Sequence, residues 1–198
     1  MVKTKICGLF RPQDIETVNL ERPDFVGFVF AESRRRVTPK QAYALRKQLS
    51  PGIVPVGVFV DEAPENILSL VSQGVIEMIQ LHGSEDEAYI KQLKSLGGLP
   101  VIKANGPADS EADYLLFDGI VPGSGQTIEW ASLRHVGRPF FLAGGLSPEN
   151  VVEAIRVANP FVVDVSSGVE SGGVKDPQKI HEFIKRVKNY ETYNEQGL

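Results

Sequence analysis

Residues 139–150, PFFLAGGLSPEN, carry a strand, a loop and a helix start in immediate succession. Pro139-Phe140-Phe141-Leu142 is a short aromatic and apolar run of strand character, and Gly144-Gly145 interrupts it. Ser147-Pro148 then sets a capping oxygen before a proline at the first helical position, where no N–H is missed. Such a segment is one βα unit, and the fold follows from how often it recurs. Downstream, the run 161–165 leads into Ser166-Ser167-Gly168, and Asp176-Pro177 starts a helix whose Ile180, Phe183, Ile184 and Val187 form one apolar stripe. Upstream, β-branched and aromatic runs occupy residues 2–6, 25–30, 54–60, 76–81, 100–103 and 114–117. Ser84 with Glu87 three residues later reads as a capping box, Gly97-Gly98 as the stop of that helix, and Ala42, Leu45 and Leu49 after Pro39 as a weaker stripe.

Eight strand candidates in 198 residues leave about 25 residues per unit, close to the minimum for a strand, a helix and two short loops. The expected architecture is therefore a single-domain α/β chain over residues 1–198, folded as a compact (β/α)8 TIM barrel. One unit departs from the pattern. Between Lys103 and Tyr114 the segment ANGPADSE is too short and too Gly/Pro-interrupted for a crossover helix, so an abbreviated fifth helix is expected. The competing open doubly wound sheet uses fewer strands and, for dinucleotides, a GxGxxG loop that this chain lacks. Polar residues 189–198 are expected to fray.

Composition narrows the function. With 42% hydrophobic and 23% charged residues the chain reads as globular. Its 21 Lys and Arg against 25 Asp and Glu give a net charge of −4, which disfavours nucleic acid as a partner. The single cysteine forms no intramolecular disulfide and lacks the spacing of a zinc site, consistent with a reducing, cytoplasmic setting and no metal. No run approaches the roughly 20 apolar residues of a membrane span, and no signal-peptide core follows Met1.

In such a barrel the active site lies at the C-terminal ends of the strands, so the residues just after each run are the candidates. These are Cys7-Gly8; Ser33-Arg34-Arg35-Arg36; Asp61; Gln80 with His82-Gly83; Asp118; Gly144-Gly145; and Ser166-Ser167-Gly168. Cys7 works as a base only where its surroundings favour the thiolate; read alone, it is equally a small buried hydrophobe. Asp118 follows an apolar strand, where partial burial suits a proton donor, although a solvated loop Asp fits the same pattern. The two come from strands one and six and are expected to face each other across the mouth. The arginine run is either a solvated face or an anion clamp, and His82 either lines the substrate or is structural. The glycine and serine pairs after strands seven and eight suit a phosphate held on backbone amides, with ordinary turns as the alternative. Gly123-Ser124-Gly125 adds a flexible loop beside strand six.

Taken together, Lys5-Ile6-Cys7-Gly8-Leu9, Gly27-Phe28-Val29-Phe30, Ser33-Arg34-Arg35, Val56-Gly57-Val58-Phe59-Val60, Gln80-Leu81-His82-Gly83, Leu116-Phe117-Asp118, Gly123-Ser124-Gly125, Ala143-Gly144-Gly145-Leu146 and Asp164-Val165-Ser166-Ser167-Gly168-Val169-Glu170 resemble the phosphoribosylanthranilate isomerase family of tryptophan biosynthesis. The resemblance implies a cofactor-free Amadori rearrangement of a phosphorylated small molecule. Asp118 would be the general acid that opens the furanose ring, and Cys7 the base that removes the C2′ proton. Arg35 would position the anthranilate carboxylate or the acid, with Arg34 and Arg36 as its competitors in register; Ala31-Glu32 departs from the proline and basic residue common there. The phosphate would rest on Gly144, Gly145, Ser166, Ser167 and Gly168, with Gln80 and His82 also substrate-binding. The resemblance also implies a monomer or homodimer. Other phosphosugar barrels usually place Asp or Lys where Cys7 stands, and a silent phosphometabolite-binding barrel would have no use for Cys7 and Asp118 together.

Overall fold

The computed structural model describes residues 1–119 and 130–195, and in it the eight apolar runs are eight parallel strands closed into one barrel in sequence order. The strands are β1 (Lys3–Cys7), β2 (Phe25–Val29), β3 (Val54–Phe59), β4 (Met78–Leu81), β5 (Val101–Ala104), β6 (Tyr114–Asp118), β7 (Phe140–Ala143) and β8 (Val162–Val165). β1 pairs with both β2 and β8, which closes the ring. Its register sets Cys7 opposite Gly27 on one side and Lys5 opposite Asp164 on the other.

Helices α1 (Pro12–Glu21), α2 (Pro39–Arg46), α3 (Pro64–Ser72), α4 (Glu87–Gly97), α5 (Val151–Ala158) and α6 (Pro177–Glu195) cover the outside. α1, α2, α3 and α6 begin on proline, whose fixed φ suits a first helical residue. In α6 the stripe Ile180, Phe183, Ile184 and Val187 is fully buried, and the helix continues through residues 189–195, the larger part of the polar tail. Between β5 and β6 no helix forms, as the glycine and proline there require. The Arg138 guanidinium donates instead to the carbonyls of Ser110 and Ala112 and fastens that bare side. β7 is preceded by a 3-10 turn at Trp130–His135; the Gly123-Ser124-Gly125 loop lies outside the described residues.

Two expected helix starts are corrected. Ser84 does not cap α4: its N–H and hydroxyl both donate to Asp61 Oδ1, at 2.7 and 2.8 Å, and Asp86 accepts from Tyr89 N instead. A tertiary partner outbid the local pattern. Likewise Ser147-Pro148 forms a turn ahead of α5, whose cap position is Asn150. The Asn150 side chain accepts from Ser147 N and donates to Gly145 O, so it ties the helix start to the loop after β7.

Apolar packing decides which end of the barrel stays open. Phe25, Val56, Met78, Ile102, Leu116, Phe141 and Val162 form a buried cluster inside the strands. The Phe141 ring lies 5.6 Å from both Phe25 and Tyr114, the opening residues of β2 and β6. Aromatic volume therefore fills the end where strands begin, and polar side chains collect at the end where they finish. Among the described residues no helix is long and apolar enough to cross a membrane.

Candidate active site

Cys7, Gln80, His82, Asp118, Gly144, Gly145, Ser166 and Ser167 all line one cavity of about 290 Å³ at the C-terminal mouth, with Val58, Ala143, Leu146 and Asp164. Each is one of the last two residues of a strand or lies just beyond one, because alternation along a strand turns every second side chain inward. Cys7 ends β1 and is partly exposed to the mouth. Its sulfur lies against the bare Cα of Gly27, where an added β-carbon would sit 2.6 Å from Sγ. Loss of water pushes the Cys7 thiol up, and the Lys5 and Lys175 ammonium groups pull against that shift.

Asp118 closes β6 on the other side of the mouth, about one-third exposed, with its Oδ2 3.6 Å from His82 Nε2. The Gln80 amide nitrogen lies 3.3 Å from His82 Nδ1. Gln80, His82 and Asp118 thus form a row along the ends of β4 and β6. A buried network beneath it fixes the strand ends. Lys103 Nζ bonds Glu85 Oε2 at 2.8 Å and Gly83 O at 2.6 Å, while Glu85 accepts from the N–H groups of Gly83 and Asp61. Asp61, a candidate from its position after β3, serves this network rather than the cavity. Its carboxyl is held below the usual carboxylate range by hydrogen bonds from Ser84.

The two glycine loops are pressed together. Gly144 and Gly145 adopt φ of 82° and 66°, which only glycine adopts without strain. A β-carbon on Gly144 would collide with Gly119 and with the Asp118 carboxylate, and one on Gly168 with the Leu146 carbonyl. Gly168 is therefore a packing contact behind the loops rather than a lining residue. Ser166 Oγ donates to the Cys7 carbonyl at 3.1 Å, which commits its proton to the junction of β8 and β1.

The arginine run separates cleanly. Arg35 lies across Gly8, beside Cys7, and grips Glu170 through Nε at 2.7 Å and Nη2 at 3.2 Å. Arg34 also bonds Glu170, and its Nη1 donates to Gly173 O. Arg36 turns away to pair with Glu32 and to line a separate groove with Thr38, Asn66 and Leu70. Glu170 belongs to an antiparallel ribbon, β9 (Glu170–Ser171) and β10 (Val174–Lys175), which folds the chain after β8 back over the mouth. Lys175 Nζ meets Glu170 Oε1 at 2.9 Å and the Ser166 carbonyl at 2.8 Å. Against burial, which pushes it up, hydrogen bonds from Arg35, Lys175 and Arg34 hold the Glu170 carboxyl at about 2.

Four charged groups beside the mouth had no individual role in the sequence reading: Lys5, Asp164, Glu170 and Lys175. A signal existed for two of them. Lys5 precedes Cys7 by two residues on the same strand face, and Asp164 is an ionisable residue inside the apolar strand VVDV. Among the described residues no group of three or more His, Cys, Asp or Glu is placed to hold a metal ion.

Residues 4–186 match the family model described as N-(5′-phosphoribosyl)anthranilate (PRA) isomerase. The N-(5′-phosphoribosyl)anthranilate isomerase of Endomicrobium trichonymphae is 43% identical, over 96% of this chain and all of that protein. Phosphoribosyl anthranilate isomerase from Thermotoga maritima is similar in structure, with a TM-score of 0.84 at 39% identity over 96% of this chain and 100% of that one. A phosphoribosyl anthranilate isomerase in complex with reduced 1-(o-carboxyphenylamino)-1-deoxyribulose 5-phosphate also superposes with a TM-score of 0.84, at 37% identity over 96% and 100% of the two chains.

Proposed function

The chain belongs to the N-(5′-phosphoribosyl)anthranilate isomerase family, and from that premise we propose that Cys7 and Asp118 act as the base and acid of its reaction. The reaction is the Amadori rearrangement of N-(5′-phosphoribosyl)anthranilate to 1-(o-carboxyphenylamino)-1-deoxyribulose 5-phosphate, an aldose–ketose isomerisation in tryptophan biosynthesis. One observation carries the assignment of roles: a thiol on β1 and a carboxyl on β6 line the same cavity, with two glycine loops beside them.

The chemistry divides between these groups. Asp118 gives a proton to the furanose ring oxygen, the ring opens, and the anthranilate nitrogen becomes a protonated imine. That cation acidifies the neighbouring C2′–H, so a thiolate is a sufficient base. Cys7 takes the C2′ proton, the electron pair moves toward the imine, and the enolamine that results tautomerises to the ketone. The amides of Gly144, Gly145 and Ser167 hold the phosphate, and positive φ at the two glycines turns their backbone N–H groups toward an anion. Arg35 keeps its outer guanidinium edge for the anthranilate carboxylate, because Glu170 takes the Nε edge. The enzyme works in the cytoplasm as a monomer or homodimer on a small phosphorylated substrate.

The test is consumption of freshly formed N-(5′-phosphoribosyl)anthranilate, followed by loss of its fluorescence. Purified chain is expected to consume it rapidly. A folded chain that leaves the signal at the uncatalysed rate contradicts the proposal.

A further inference from the structure

Lys5 is wholly excluded from water, one of the largest side chains among the described residues to be so. Its Nζ bonds Asp164 Oδ2 at 2.6 Å, with the two side chains 0% and 5% exposed. A buried ion pair of this kind does little for stability, since apolar residues of the same volume would serve as well or better. Its position is more telling. Lys5 and Cys7 are two residues apart on β1 and therefore point to the same face, and the strand register sets Asp164 directly opposite Lys5. The Lys5 ammonium therefore sits beneath Cys7, where its charge favours the thiolate against the push of burial. Asp164 Oδ1, also buried at the cavity, has no hydrogen-bond partner among the described residues.

We propose that Lys5, held by Asp164, is a positioning residue that stabilises the Cys7 thiolate from below. This rests on the reading of Cys7 as the base. Lys5 keeps its proton throughout: the C2′ proton goes to Sγ, and the ammonium only balances the charge that Sγ carries before the transfer. Asp164 itself works against the Cys7 thiolate, and two further cations work with Lys5. From the ribbon after β8, Lys175 faces the thiol, and Arg35 lies over the adjacent Gly8. Lys5, Lys175, Arg34 and Arg35 share only two carboxylates, Asp164 and Glu170, which leaves positive charge in excess on this side. β2 contributes no charge, only the Cα of Gly27. Across the mouth stand His82 and Asp118.

The chain has one cysteine, so the pH dependence of iodoacetamide alkylation reports Cys7 alone. Lys5→Met is expected to raise the midpoint of the thiolate titration by about one unit or more, slowing alkylation near neutrality about tenfold or more. It lowers kcat more than it changes KM. Asp164→Asn is expected to act in the opposite sense, lowering the midpoint and speeding alkylation, because it removes the negative charge that competes for Lys5. Lys5→Met that folds and alkylates like the wild type overturns the inference. Should Lys5→Met fail to fold, Asp164→Asn decides, and unchanged or slower alkylation overturns it. The thiol titration does not depend on turnover, so failure of the wild type to consume substrate counts against the assigned base and leaves this comparison intact.

Discussion

Arg35, Arg34 and Arg36 carry the same charge, and only their neighbours distinguish them. Arg35 lies on Gly8 beside Cys7, whereas Arg36 pairs with an exposed Glu32 on another face. Arg35→Ala is expected to lower kcat/KM about a hundredfold, the scale of losing one charge-assisted bidentate contact, and Arg36→Ala less than about threefold. Steady-state kinetics on both variants checks this, and a crippled Arg36→Ala would shift the register by one residue. Gly144 makes a second case. Its missing β-carbon is the space that Asp118 occupies, so Gly144→Ala should displace the Asp118 carboxylate as well as strain a backbone at φ 82°. The placement of Cys7 and Asp118 at the mouth was legible in the sequence because each ends an apolar strand. Lys5 was less so: its spacing from Cys7 puts the two on one strand face but does not show which residue pairs with it. The strand register that pairs it with Asp164 is a property of two segments far apart in the chain.

The strands were the most legible elements, since β-branched and aromatic runs bounded by glycine and proline mark them directly. Helix starts were less so. The Ser84–Glu87 spacing satisfied a local rule, yet Ser84 spends both donors on Asp61, and Asp86 two residues later takes the cap. Asp86→Ala should therefore cost about 1 kcal/mol, the usual loss for an N-cap, and lower the thermal midpoint by a few degrees. Ser84→Ala leaves α4 capped and instead loosens the loop after β4, which carries His82, from Asp61 in the loop after β3. Its expected signature is lowered kcat/KM with little change in thermal midpoint, and the two scans together separate cap from loop. The abbreviated unit between β5 and β6 was legible from its glycine and proline, but its fastening by Arg138 was not, because a guanidinium bound to distant carbonyls leaves no periodic trace.

At the scale of the molecule, Glu170 ties the ribbon after β8 to the loop after β2 through Arg34 and Arg35, and to the mouth through Lys175. Its carboxyl titrates at about 2 in the folded chain against an ordinary 4.5, so the unfolded chain takes up the proton first. The stabilisation it gives is complete above pH 4.5 and is lost as pH falls from 4.5 toward 2. Glu170→Gln should therefore be less stable than wild type near neutrality, with the difference shrinking across that acid window. Urea unfolding at several pH values reads it directly, and a constant difference would count against the tether. Barrel closure itself was predictable from unit number and length, whereas the charge excess around Cys7 emerged only when β1, β8 and the ribbon met.

Cys7 and Asp118 are proposed to share one reaction across the mouth. The measurement that addresses it most directly is kcat/KM for N-(5′-phosphoribosyl)anthranilate in wild type, Cys7→Ala and Asp118→Ala, matched for folding by circular dichroism. Each substitution is predicted to lower kcat/KM by about 10²–10⁴-fold or more, the usual contribution of a general acid or base. A correctly folded variant of either residue that turns over substrate at the wild-type rate would contradict the account.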